Sequence, residues 1–106
     1  MRKTANTEKN RAAGIATQVP WRVGKLEVLA TFRLYVQFED GTDGVVDMAK
    51  FLAQDCGVFK MLRNEARFNE AYIEHGAVTW PGELDLAPDR MYDELQENDV
   101  YVMGAR

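Results

Sequence analysis

Glu83, Asp85 and Asp89 fall within seven residues of one another in the stretch Thr79-Trp80-Pro81-Gly82-Glu83-Leu84-Asp85-Leu86-Ala87-Pro88-Asp89-Arg90-Met91-Tyr92. Clustered carboxylates beside aromatic rings are the raw material of acid–base chemistry, because one carboxyl can hold a proton while its neighbour gives one up. The same residues also suit a strand end followed by a helix start. Pro81-Gly82 stops a strand, since proline cannot donate to a ladder and glycine bends freely. Asp85 then caps a helix whose first turn is Leu86-Ala87-Pro88, where the missing proline N–H has no helical partner to lose. Asp89 faces the positive end of that helix. Leu86, Met91 and Leu95 share one side and close over a sheet, with Trp80 beneath. The architectural reading predicts a cost of about 0.5–2 kcal/mol for removing the Asp85 carboxylate.

The other reactive side chains do not assemble into a set. His75 is the only histidine and Cys56 the only cysteine. A zinc site wants more imidazole or thiolate ligands, and a thiol nucleophile wants a base beside it. His75 precedes Gly76 in an expected turn and reads as a solvent-exposed residue. Cys56 reads as a small, partly buried loop residue. The pairs Glu39-Asp40 and Asp93-Glu94 are sequence neighbours, which point to different faces, so adjacency does not make an acid–base pair. The glycines at 41, 44, 57, 76 and 82 are dispersed and form no phosphate-cradling loop. We therefore expect no catalytic residues, no metal ligands and no cofactor.

The elements that position these residues are those of one small domain. The chain has 106 residues, 46% hydrophobic and 28% charged, which is globular composition. Residues 1–20 carry four basic groups against one acidic and are expected to be a tail. Residues 21–106 carry nine basic against sixteen acidic and are expected to be a single α+β domain. An acidic body repels phosphate backbones, so nucleic acid is not an expected partner. The single cysteine fits a reducing cytosol, and no stretch approaches the roughly 20 apolar residues needed to span a bilayer. We expect a cytoplasmic location.

Phe32, Leu34, Val36 and Phe38 alternate with Arg33, Tyr35 and Gln37, the period of a half-buried strand. Asp40-Gly41 signals a hairpin into Gly44-Val45-Val46-Asp47. Lys25–Leu29 supplies a preceding strand, completing an antiparallel meander. Asp47 is placed to cap a short helix from Met48 to Leu52. Val58–Leu62 predicts a second, and Asn64 caps a third turn through Phe68. Residues 71–80 predict a hairpin about His75-Gly76, and a C-terminal helix follows. About five strands result, in one sheet or two.

Asp40-Gly41, Val46-Asp47, Val58-Phe59, Leu62, Phe68, then Val78-Thr79-Trp80-Pro81-Gly82 with Asp85-Leu86-Ala87-Pro88 and Tyr92, resemble the bacterial domain of unknown function 2442 family over roughly residues 21–95. The resemblance implies a small α+β unit with no established activity and no defined catalytic residues. It implies a gene arrangement beside another small protein, like that of toxin–antitoxin pairs. Some relatives carry an added helix-turn-helix domain, for which the roughly eleven residues after the motif leave no room.

The leading expectation is a non-enzymatic protein-interaction module, the neutralising, antitoxin-like half of a small two-protein system, with a partner encoded nearby. Its candidate surface is Tyr35, Trp80, Asp85, Asp89 and Tyr92. The competing expectation is a small-molecule-binding or enzymatic domain with a pocket near Trp80, Asp85 and Tyr92. Self-association through the Lys25–Leu29 edge into a homodimer is a further expectation.

Overall fold

The computed structural model describes residues 20–104, so the tail expected over residues 1–20 lies outside the described residues except for Pro20. Strands β1 (Val23–Leu29), β2 (Arg33–Phe38) and β3 (Asp43–Asp47) form the expected antiparallel meander. Leu34, Val36 and Phe38 point inward and are buried, as their alternation requires. The β2–β3 turn is built on Gly41 at φ +97°. Asp40 stabilises it by accepting the Thr42 N–H at 2.9 Å.

Phe32 departs from the alternation. It sits with Thr31 in the tight β1–β2 turn, at φ +61° and +60° respectively. The connection spans Ala30, Thr31 and Phe32, and a positive φ is costly for a bulky side chain. Tertiary contacts hold it in place. The Phe32 ring meets Phe68 edge-on at 5.3 Å, and its carbonyl accepts the Met48 N–H at 2.9 Å.

Helix α1 (Ala49–Leu52) follows β3, with the Asp47 carboxylate accepting the Ala49 N–H at 3.1 Å. Met48 occupies the cap position itself, so Asp47 acts from one residue further back than expected. The second expected helix is a 3-10 helix over Gly57–Arg63. Helix α2 (Glu65–Phe68) is capped by Asn64, whose side-chain oxygen accepts the Ala66 N–H at 2.9 Å. Strands β4 (Tyr72–Glu74) and β5 (Ala77–Trp80) form the expected hairpin.

Two elements differ from the sequence reading. Asp85 does not cap a helix. It lies in β6 (Leu84–Asp85), paired with Thr79 of β5. Helix α3 (Pro88–Glu97) starts later, with Ala87 at its cap position and no side-chain cap. Leu84 and Leu86 are both buried, and the Leu86 N–H bonds to the Val78 carbonyl at 3.0 Å. Burying both leucines in strand alternation therefore prevails over an early helix start. The second difference is β7 (Val100–Val102), which pairs parallel with β3. Among the described residues the result is seven strands in two sheets, ordered β1-β2-β3-β7 and β4-β5-β6.

The fold class is α+β. One core joins the inner face of the four-stranded sheet to Leu52, Leu62, Phe68, Val78 and Trp80, and α3 closes it with Met91 and Leu95. At Gly44 an added Cβ would stand 2.6 Å from a Leu95 methyl and 2.8 Å from the Asp99 carbonyl, so only glycine admits this approach. No helix among the described residues is long and apolar enough to cross a membrane.

Candidate interaction surface

Of the five residues singled out from the sequence, Asp89 and Tyr92 lie one turn apart on α3, Asp85 precedes that helix in β6, and Tyr35 lies on β2. Trp80 is a correction. It is fully buried and is no part of a surface. Its indole N–H donates to the Phe68 carbonyl at 2.9 Å, and its ring lies 5.8 Å from that of Phe68. Its strand, β5, has both edges covered by β4 and β6, and all four of its residues are buried.

Tyr92 is half-buried on α3, its ring edge-on to Phe38 at 5.2 Å. Its hydroxyl donates to Asp40 at 2.6 Å, while the other oxygen of Asp40 holds the β2–β3 turn. The carboxylate thus ties α3 to a turn 52 residues earlier. Burial, then the hydrogen bond to Asp40, push the Tyr92 phenol up to about 12. Asp85 and Asp89 are exposed, and Asp89 accepts the Arg90 N–H at 2.9 Å in the first turn of α3.

Tyr35 lies on the outer face of the four-stranded sheet. Its hydroxyl donates to Asp43 at 2.8 Å, and that hydrogen bond, followed by partial burial, raises its phenol above the ordinary value. His75 is in the β4–β5 turn at φ +53°, with its side chain 89% exposed, as its place before Gly76 predicted. Cys56 is buried, its sulfur 3.8 Å from the Leu52 carbonyl. No three potential metal ligands cluster among the described residues.

The strand register organises the outer sheet face around Tyr35. Directly paired residues share a face, so Glu27, Tyr35, Val45 and Val100 form one cross-strand row. Leu29, Arg33, Asp47 and Val102 form the next. Val100 is 43% exposed and Val102 37%, so this face ends on two open valines at the sheet edge. The sequence reading missed them. Three residues of alternation, Val100-Tyr101-Val102, are too few to signal a strand, and the parallel pairing is non-local.

A small α+β domain whose outer sheet face is left partly open by the described residues is the class that this geometry defines. Residues 23–97 match the model of a family described as protein of unknown function (DUF2442), and the chain belongs to that family. The match runs from the first residue of β1 to the last of α3. No curated protein and no solved structure matches the chain.

Proposed function

We propose that this chain is a non-enzymatic protein-interaction module, which binds and neutralises a second small protein encoded beside it. The observation that carries this reading is the outer face of the four-stranded sheet. Tyr35, Val45, Val100 and Val102 form an aromatic and aliphatic patch on it, with Glu27, Asp43 and Asp47 distributed among them. Apolar and aromatic anchors within a polar surround are the anatomy of protein interfaces. Sixteen acidic against nine basic residues over 21–106 favour a basic partner, through faster encounter and orientation.

The test is co-expression of the chain with the product of its neighbouring gene, followed by purification through a tag on one of them. The two proteins are expected to co-purify at low salt, and Val100→Lys is expected to release the partner. Failure of the unmodified pair to co-purify at low salt would count against the proposal.

A further inference from the structure

We infer that the outer edge of β1 is a docking trough for an extended, basic segment of the partner, which adds there as a further strand. This deepens the interaction-module reading and rests on it. The first support is the direction of the main-chain groups. The Phe38 N–H bonds to Thr42 and the Met48 N–H to Phe32, so the even-numbered residues of β2 turn toward β3. The odd-numbered residues, Arg33, Tyr35 and Gln37, therefore pair with Leu29, Glu27 and Lys25 of β1. Alternation leaves the amide and carbonyl groups of Leu26 and Val28 turned away from the sheet. The same reasoning on the second sheet, from the Leu86 N–H bond to Val78, turns the Ile73 groups to the open side of β4. Among the described residues β1 pairs with β2 alone and β4 with β5 alone, so these groups have no backbone partner there.

The second support is shape. A cleft of about 450 Å³ is lined by residues 24–27 of β1, Tyr35, and residues 71–73 at β4. A second, of about 320 Å³, continues along the same strand through residues 28–32, walled by Glu65, Phe68 and Asn69. At one end the two sheets join, where the Val23 N–H bonds to the Gly76 carbonyl at 2.9 Å. From there the open edge of β1 runs along both clefts. The outward groups of Leu26 and Val28 lie on the part of the strand beyond that junction, where an extended chain would rise roughly 3.4 Å per residue.

The third support is charge. Among the described residues Glu27 and Glu65 line the trough against the single cation Lys25, and Glu70 and Glu74 flank it in the chain. Tyr72, 41% exposed, stands on the lining as an aromatic contact. Main-chain pairing for affinity, with alternate side chains for selectivity, is the established mode of strand addition. Alternating lysine with an aliphatic residue supplies both the charge and the apolar contact with Leu26 and Ile73.

The test is an NMR titration of the full chain with an end-capped hexapeptide of alternating lysine and valine. Amide shifts are expected to concentrate at Leu26, Val28 and Ile73. A glutamate–valine peptide, and a lysine–valine peptide N-methylated on its β1-facing amides, are each expected to bind about tenfold more weakly or worse. Leu26→Pro removes an outward amide that serves no ladder bond, a change an edge strand tolerates, and is expected to weaken binding by a similar factor. If that variant does not fold, the N-methylated peptide carries the same test. Shifts confined to the Val100–Val102 edge, equal binding of all three peptides, or no binding at millimolar concentration would overturn the inference. So would protection of the Leu26 and Val28 amides in a concentration-dependent dimer, which would make a second copy the occupant. Co-purification of the natural partner by a folded Leu26→Pro chain would remove the trough and leave the interaction module standing. Peptide binding without a co-purifying partner would do the reverse.

Discussion

Replacing Trp80 with phenylalanine separates an architectural tryptophan from an interface tryptophan. Trp80 is fully buried, its ring is 5.8 Å from that of Phe68, and its N–H bonds to the Phe68 carbonyl at 2.9 Å. Trp80→Phe deletes roughly 35–40 Å³ of side chain, and at about 24 cal/mol per Å³ of residual cavity this costs about 1 kcal/mol. The substitution also strips the Phe68 carbonyl of its indole donor, leaving a 3.4 Å contact with the Ala71 N–H. Depriving a buried acceptor in this way costs about 1–3 kcal/mol. The combined loss is about 2–4 kcal/mol, a large part of the stability of a small domain. Urea unfolding followed by far-ultraviolet circular dichroism measures it, with Trp21→Phe as the exposed control, expected within about 0.5 kcal/mol of the unmodified chain. A Trp80→Phe chain as stable as the unmodified one, but impaired in holding its partner, would refute the assignment of Trp80 to the core.

Two further perturbations test the local structure. Asp85→Ala is expected to change stability by less than about 0.5 kcal/mol, because Asp85 is exposed in β6 and caps nothing. Asn64→Ala, which removes a real cap, is expected to cost about 1 kcal/mol in the same urea assay. The Tyr92 phenol is raised from 10.0 to about 12, so the folded state holds its proton more tightly than the unfolded state does. Its contribution is therefore complete below about pH 10 and is lost as pH rises toward 12. Tyr92→Phe is expected to flatten this alkaline decline. Parallel declines in the two chains, read as urea midpoints against pH, would contradict it.

The meander, the second hairpin and the Asn64 cap were legible in the sequence because their signals are local. Alternation over Leu34, Val36 and Phe38, and turn residues at Asp40-Gly41 and His75-Gly76, each act within a few residues. What escaped is non-local. Asp85 has the chemistry of a cap, but its backbone is claimed by β5 through the burial of Leu84 and Leu86. β7 exists because β3 offers it an edge, across more than fifty residues of chain. Phe32 reads as a strand residue until its contact with Phe68 is known. The candidate surface followed the same pattern. Tyr35 was placed on the polar face by alternation alone, whereas Trp80 looked like a site residue until its neighbours covered it. The carboxylate with the most defined role, Asp40, looked like a turn residue because its bond to Tyr92 spans 52 positions.

The central claim is that this chain works through the outer sheet face and not through chemistry at the C-terminal bend. The most direct measurement is partner retention at low salt by three co-expressed chains: unmodified, Val100→Lys, and the double variant Asp85→Asn with Asp89→Asn. The account predicts a retained partner with the first and third and a lost partner with the second. Loss with the bend variant and retention with Val100→Lys would contradict it.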